Sequence, residues 1–122
     1  MPVRSLNSSI LKWPDKKSVD RAVRSWSSGE ARERPDLLRI GYFGSYARGD
    51  WGVGSDLDLI AVVTEIAIPF EQRSIEWDLS DLPVPAEILV YSSTEWKALQ
   101  KGTDKFSRML RHEVVWTYAK DS

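Results

Sequence analysis

The feature that most constrains this chain is a short central stretch, Gly44-Ser45-Tyr46-Ala47-Arg48-Gly49, followed by Ser55-Asp56-Leu57-Asp58-Leu59. Leu37 to Phe43, apolar apart from Arg39, reads as a short buried strand that leads directly into Gly44. A second run, Leu57 to Val63, is apolar apart from Asp58. The chain must therefore fit a sharp turn, a helix start and a pair of aspartates between two strands.

Side chains alternate along a strand, so Asp56 and Asp58 point to one face and Leu57 and Leu59 to the other. Two like charges so close repel each other. A shared cation removes that cost, and carboxylate oxygens suit Mg²⁺ or Mn²⁺. The plainer alternative is a pair of exposed acids at a strand edge. Glu87, within Pro85-Ala86-Glu87-Ile88-Leu89-Val90, is a third acid among branched apolar residues. A charge buried there needs a partner or a metal, whereas an edge acid facing water needs neither. If its strand lies beside the Asp strand, the three carboxylates can hold two divalent ions ~3.5–4 Å apart, as in-line displacement at phosphorus requires.

Gly44 permits a tight turn and close approach of backbone to ligand. Ser45 stands where a helix would begin, so its hydroxyl and the free N–H groups there can receive phosphate oxygens. Arg48, one turn on, can add a charge-assisted contact. Gly49, Gly52 and Gly54 leave the link to Asp56 flexible or sharply turned.

Elsewhere a helix is predicted to begin near Pro14-Asp15, with Val19, Ala22, Val23 and Trp26 as its apolar stripe and Gly29 as its stop. Pro69 opens a weaker helical segment to about Leu79, with Phe70, Ser74, Trp77 and Asp78 close to one side. Ala86 to Tyr91 is a third strand. Ser92 and Glu95 form a capping-box signature for a helix through Leu99, ended by Gly102. A last helix holds Phe106, Met109 and Leu110, and Val114 to Tyr118 is a fourth strand. The pattern predicts an α/β (α+β) domain over residues 14–122, a small mixed sheet flanked by helices, after a loosely packed lead-in at residues 1–13.

With 122 residues the chain can bury one core. It lacks the ~20-residue apolar run of a membrane span, and Met1 to Trp13 lacks the marks of a signal peptide. A cytoplasmic location is expected. There is no cysteine, and His112 is the only histidine, so carboxylates must hold any metal. Residues 1–48 carry ten Lys/Arg against five Asp/Glu, whereas residues 49–87 carry one against nine. Such neighbouring blocks can hold a metal–phosphate ligand, though solvated surfaces would look the same. Extended nucleic acid is the weaker candidate, because its binders show a clearer excess of positive charge.

Gly-Ser-x-Ala-Arg-Gly, five residues, then Ser-Asp-x-Asp-Leu resembles the signature of the minimal nucleotidyltransferases of the DNA polymerase beta superfamily. The match from Gly44 to Leu59 is without gap, and Glu87 falls where that family carries its third carboxylate. The tail from Tyr91 to Tyr118 is similar to the family's closing helices and strand. The resemblance implies a polymerase-beta-like nucleotidyltransferase fold. It also implies transfer of a nucleoside monophosphate, AMP from ATP, to an acceptor hydroxyl. Asp56, Asp58 and Glu87 would be the catalytic and metal-binding residues, with Mg²⁺ or Mn²⁺. Gly44, Ser45, Arg48 and Ser55 would bind the nucleotide. Two residues depart from the pattern: Glu87, where aspartate is usual, and Trp51, where a small residue is usual. The Trp51 indole could stack on a base, but packing on the short helix is the favoured reading.

Family members of this size are often antitoxins that adenylylate a tyrosine of a HEPN-domain ribonuclease toxin. The resemblance thus implies a HEPN-type partner or a second copy of the chain. A transferase acting on transfer-RNA ends or a small molecule is the enzymatic alternative. A non-catalytic nucleotide- or partner-binding module of the same fold is the alternative of another class.

Overall fold

The computed structural model describes residues 13–120. Residues 1–12 of the expected lead-in lie outside them, while Trp13 is half-buried and packs against the core.

Helix α1 (Lys16–Glu33) starts where Asp15 caps it, its carboxylate accepting the Ser18 N–H at 2.9 Å. Val19, Val23 and Trp26 are buried as expected. Ser27 is buried beside them, its hydroxyl hydrogen-bonded to that of Thr117 at 2.7 Å. The expected stop at Gly29 is not where the helix ends. A glycine inside a helix costs only about 1 kcal/mol, and the next turn is held by the Arg34–Glu30 ion pair at 2.8 Å. The Arg34 guanidinium lies over the Trp77 ring, 3.7 Å from its centroid.

Strands β1 (Leu37–Phe43) and β2 (Leu57–Val63) have the bounds read from the sequence. Between them lies the short helix α2 (Ser45–Arg48). A 3₁₀ helix (Phe70–Glu76) precedes β3 (Ala86–Ser92), α3 (Ser93–Lys101), α4 (Lys105–Glu113) and β4 (Val115–Ala119). The sheet order is β3-β2-β1-β4. β1 runs antiparallel to β2 and β4, while β2 and β3 are parallel. This is the small mixed α/β architecture that the alternation of elements predicted.

β2 is central and covered on both sides, which explains why it is apolar apart from Asp58. Leu57, Leu59, Ala61 and Val63 join the core beneath α1 with Val19, Val23 and Trp26. Ile60 and Val62 face the other side, with Trp96 of α3 and Leu110 of α4. Alternation puts Asp58 on this second side, the side of α4.

The segment after Pro69 differs from expectation. Its tighter 3₁₀ winding buries Arg73, and Trp77 is buried just beyond its end, whereas Phe70 and Ser74 are exposed. Arg73 donates to the carbonyls of Ile68 at 2.8 Å and Val90 at 2.9 Å, and to both Glu95 carboxylate oxygens at 2.6 and 3.1 Å. Glu95 also completes the predicted capping box, accepting the Ser92 N–H at 2.8 Å. One carboxylate thus ties the 3₁₀ helix, the outer side of β3 and the start of α3 together.

Candidate active site

β1 leaves the sheet at Phe43, which is paired with Asp58 across the ladder. The next residue, Gly44, has φ +82° and ψ −152°, a region that essentially only glycine visits. A Cβ at Gly44 would land on Oδ2 of Asp58. The turn and the acid are therefore in direct contact, and any side chain at position 44 would separate them.

Ser45 opens α2, and Gly49, in the left-handed region at φ +90°, closes it with its N–H on the Ser45 carbonyl at 2.9 Å. Arg48 is half-exposed. Its Nε donates to Asp50 at 3.1 Å and its Nη1 to Glu113 at 3.4 Å. Ser55 uses its hydroxyl to accept the Gly52 N–H at 2.8 Å, closing the turn that delivers Asp56. Trp51 stacks on Tyr46, with ring centroids 5.7 Å apart and planes 8° from parallel, as the packing reading expected.

Asp58 is half-buried in β2, and Glu87 of β3 stands opposite it in the parallel register. Asp56 immediately precedes the strand and is exposed. The expected adjacency of the Asp and Glu strands is present. The burial suggested for Glu87 is not: β3 is an edge strand, and its glutamate faces water. Burial pushes the Asp58 carboxyl above its ordinary range, and the negative charges of Glu87 and Asp56 push it further, with Arg48 opposing.

Among the described residues no three acids are drawn together tightly enough to form a metal-binding group as they stand. The donor set nonetheless fits a hard divalent cation. It consists of carboxylate oxygens, and the crowded charge on Asp58 is what a cation would relieve.

Glu113, at the end of α4, escaped the sequence reading. Its Oε2 accepts the Gly44 N–H at 2.7 Å as well as the Arg48 contact, so it pins the Gly-Ser turn from behind. One signal was available: a carboxylate at a helix C-terminus opposes the helix dipole, which favours cations there.

A strand that turns through Gly-Ser into a short helix, then returns as a central strand beginning on paired aspartates, defines a nucleotidyltransferase-type domain. The chain belongs to the nucleotidyltransferase domain family, whose sequence profile matches residues 25–111. Its fold is similar to that of a candidate nucleotidyltransferase from Sulfolobus solfataricus, with TM-score 0.63 and 18% identity over 88% of this chain and 86% of that one. It is also similar to a chain in a toxin–antitoxin structure solved with AMP-PNP, with TM-score 0.53 and 17% identity over 80% of this chain and 73% of that one. At these identities the likeness speaks for the fold. No curated protein matches the chain in sequence. Among the described residues no helix is long and apolar enough to cross a membrane.

Proposed function

We propose that this chain transfers AMP from ATP to an acceptor hydroxyl in a reaction that depends on a divalent metal. The observation that carries the reading is the contact between the Gly44 turn and Asp58, with Glu87 across the ladder. It sets a phosphate-receiving turn against the acids without an intervening side chain. Ser45 receives the phosphates where the Gly44 turn, whose own N–H is held by Glu113, lets the nucleotide approach the backbone; Arg48 adds charge to them, and the Ser55 hydroxyl holds the turn that presents Asp56.

Asp56, Asp58 and Glu87 would hold Mg²⁺ or Mn²⁺, which when bound neutralises phosphate charge and lowers the pKa of the acceptor hydroxyl. The acceptor oxygen bonds to the α-phosphorus as the bond from that phosphorus to the bridging oxygen breaks. The electron pair leaves with pyrophosphate, and the hydroxyl proton passes to the exposed Glu87 carboxylate and on to water. Positioning and charge neutralisation supply most of the acceleration.

For the acceptor we propose a protein hydroxyl, a tyrosine of a HEPN-type toxin in the cytoplasm; what supports a protein partner is the likeness to a chain in a toxin–antitoxin structure. The test incubates the chain with α-labelled ATP, Mg²⁺ and the candidate toxin, and follows label on the toxin. Asp56→Asn/Asp58→Asn should abolish labelling, and unchanged transfer by that double variant refutes the assignment. One observation favours a non-catalytic nucleotide-binding module: Arg48 is already engaged with Asp50 and Glu113. That module would melt higher with Mg·ATP yet label no acceptor.

A further inference from the structure

The acids stand where β2 begins, and a separate cavity opens where it ends. The cavity lies on the same side of the sheet as Asp58, among the start of β1, the end of β4 and the first turns of α3, and has a volume of about 310 Å³. Small-ligand sites begin at about that size. Val62, in its floor, is four residues beyond Asp58, so about 13 Å of strand separates it from the acids.

A β-bulge shapes its mouth. The ladder pairs Leu37 with Val63 and Arg39 with Val62, which leaves Leu38 as an extra residue in β1. Consecutive strand residues ordinarily point to opposite faces. Here Leu38 packs with Val62 and Trp96, while the Arg39 guanidinium lies over Trp116 of the same cluster, 5.2 Å from the ring centroid. The bulge thus brings an apolar side chain and a cation to one opening. Trp96 meets Trp116 edge-on, with ring centroids 5.5 Å apart, which holds its indole in place in the cavity wall.

Leu38, Val62 and Trp96 form the apolar floor, and the charged residues around it are Arg39, Lys97 and Lys120. Among the described residues no acid lines it. Lys120 is tethered through Nζ to the Pro35 carbonyl at 2.8 Å, a neutral acceptor that leaves its charge in place, and Lys97 is exposed. Surface lysines are usually just solvated, and a cavity by itself names no ligand. Cations grouped over an apolar floor, in a chain whose net charge is −1, select an anion with an apolar body. A bare inorganic anion gains nothing from the floor, and an uncharged ring gains nothing from the rim. Several cations also favour a doubly charged head over a single charge. We propose that this cavity is a second ligand site, for a phosphate monoester whose organic part is a flat apolar ring. The site is separate from the acids and stands whether or not the chain transfers nucleotides.

The chain has six tryptophans, and Trp96 is the one in the cavity wall. With 5-fluorotryptophan in the full chain, fluorine NMR gives a signal for each, and Trp96→Phe identifies the one that matters. In buffer with EDTA, phenyl phosphate should move the Trp96 signal saturably. Trp26 and Trp77, in the core on the other side of the sheet, should stay in place. Inorganic phosphate and phenol at equal concentration should each leave Trp96 unmoved. Lys97→Gln/Lys120→Gln should weaken phenyl phosphate binding about tenfold or more, as loss of two contacts to a charged group implies. Both changes are at exposed positions, and circular dichroism checks the fold. Added salt should weaken binding to the unaltered chain. Asp56→Asn/Asp58→Asn should bind as tightly as the unaltered chain. A Trp96 signal indifferent to phenyl phosphate overturns the proposal, as does one moved equally by inorganic phosphate or by phenol. Binding unchanged in the lysine variant overturns it too. Binding lost in the aspartate variant places the anion at the acids and refutes the second site. A Trp96 signal moved only by an acidic peptide or an RNA oligonucleotide gives the cavity to a macromolecule, and the proposal fails.

Discussion

Replacing Gly44 by alanine asks two things of the chain that can be valued separately. The backbone at φ +82° and ψ −152° is one that a residue with a Cβ adopts at a cost of about 1–3 kcal/mol. The new methyl also lands on Oδ2 of Asp58. That carboxylate has little room to retreat, because it is half-buried, with Glu87 on one neighbouring strand and Phe43 on the other. Forcing an atom into such a contact costs about 1–3 kcal/mol more. We expect Gly44→Ala to lose about 4 kcal/mol, which for a chain of this length lowers Tm by about 12–20 °C.

Two neighbouring glycines separate the contributions. Gly49 has φ +90° but open space around it, so Gly49→Ala should lose only the strain of about 1–2 kcal/mol. Gly52 has an unremarkable φ and open space, so Gly52→Ala should be neutral or stabilising by up to about 1 kcal/mol. Thermal and urea melts followed by circular dichroism in metal-free buffer give the order. A double-mutant cycle of Gly44→Ala with Asp58→Ala should recover the steric share, about 1–3 kcal/mol, and leave the strain. If Gly44→Ala melts no lower than Gly49→Ala, the contact between turn and acid is not held as described.

Three further outcomes follow from the same structure. Asp58→Asn should raise the Tm of the metal-free protein at pH 7: burial and its acidic neighbours raise its carboxyl, so the ionised form costs stability there; calorimetry in EDTA showing a lower Tm would contradict this. The Glu95 carboxyl is held below its ordinary value chiefly by Arg73, so its stabilisation is present above about pH 4.5 and lost as pH falls through the folded value; melts between pH 3 and 6 should show a steep acid decline in the wild type that Glu95→Gln flattens. Trp51→Leu should cost about 1 kcal/mol from the lost stack on Tyr46, with the preference for ATP over GTP changed less than about twofold; a larger change would place the indole on the base.

How much was legible depended on how locally each feature is determined. β1 and β2 could be bounded because a strand covered on both faces is apolar along most of its length, interrupted here only by Arg39 and Asp58. The capping box at Ser92 and Glu95 is a four-residue interaction, and it formed as written. The Asp58–Glu87 adjacency was expected if the two strands paired, and the register supplies that pairing. Gly29 misled because continuation of α1 depends on Arg34, beyond the glycine, and on the Trp77 ring beneath that arginine. The burial of Arg73 was invisible because, beyond the nearby Ile68 carbonyl, its acceptors lie on β3 and α3. For the same reason Glu113 went unread. Its meaning comes from Gly44 and Arg48, more than sixty residues earlier in the chain.

The placement of β3 at the sheet edge has a practical consequence for anyone altering Glu87. Ala86-Glu87-Ile88-Leu89-Val90-Tyr91 is the kind of segment that recruits a strand from another molecule when its edge is open. At Val90 the Arg73 guanidinium covers that edge. Towards the start of the strand the guard is the exposed Glu87 charge. The acid proposed for phosphoryl chemistry is thus also a gatekeeper against self-association. A Glu87→Ala preparation that loses activity should be weighed by light scattering before the loss is assigned to catalysis. Glu87→Lys separates the two roles, since it keeps a charge on the edge but cannot serve as a metal ligand there.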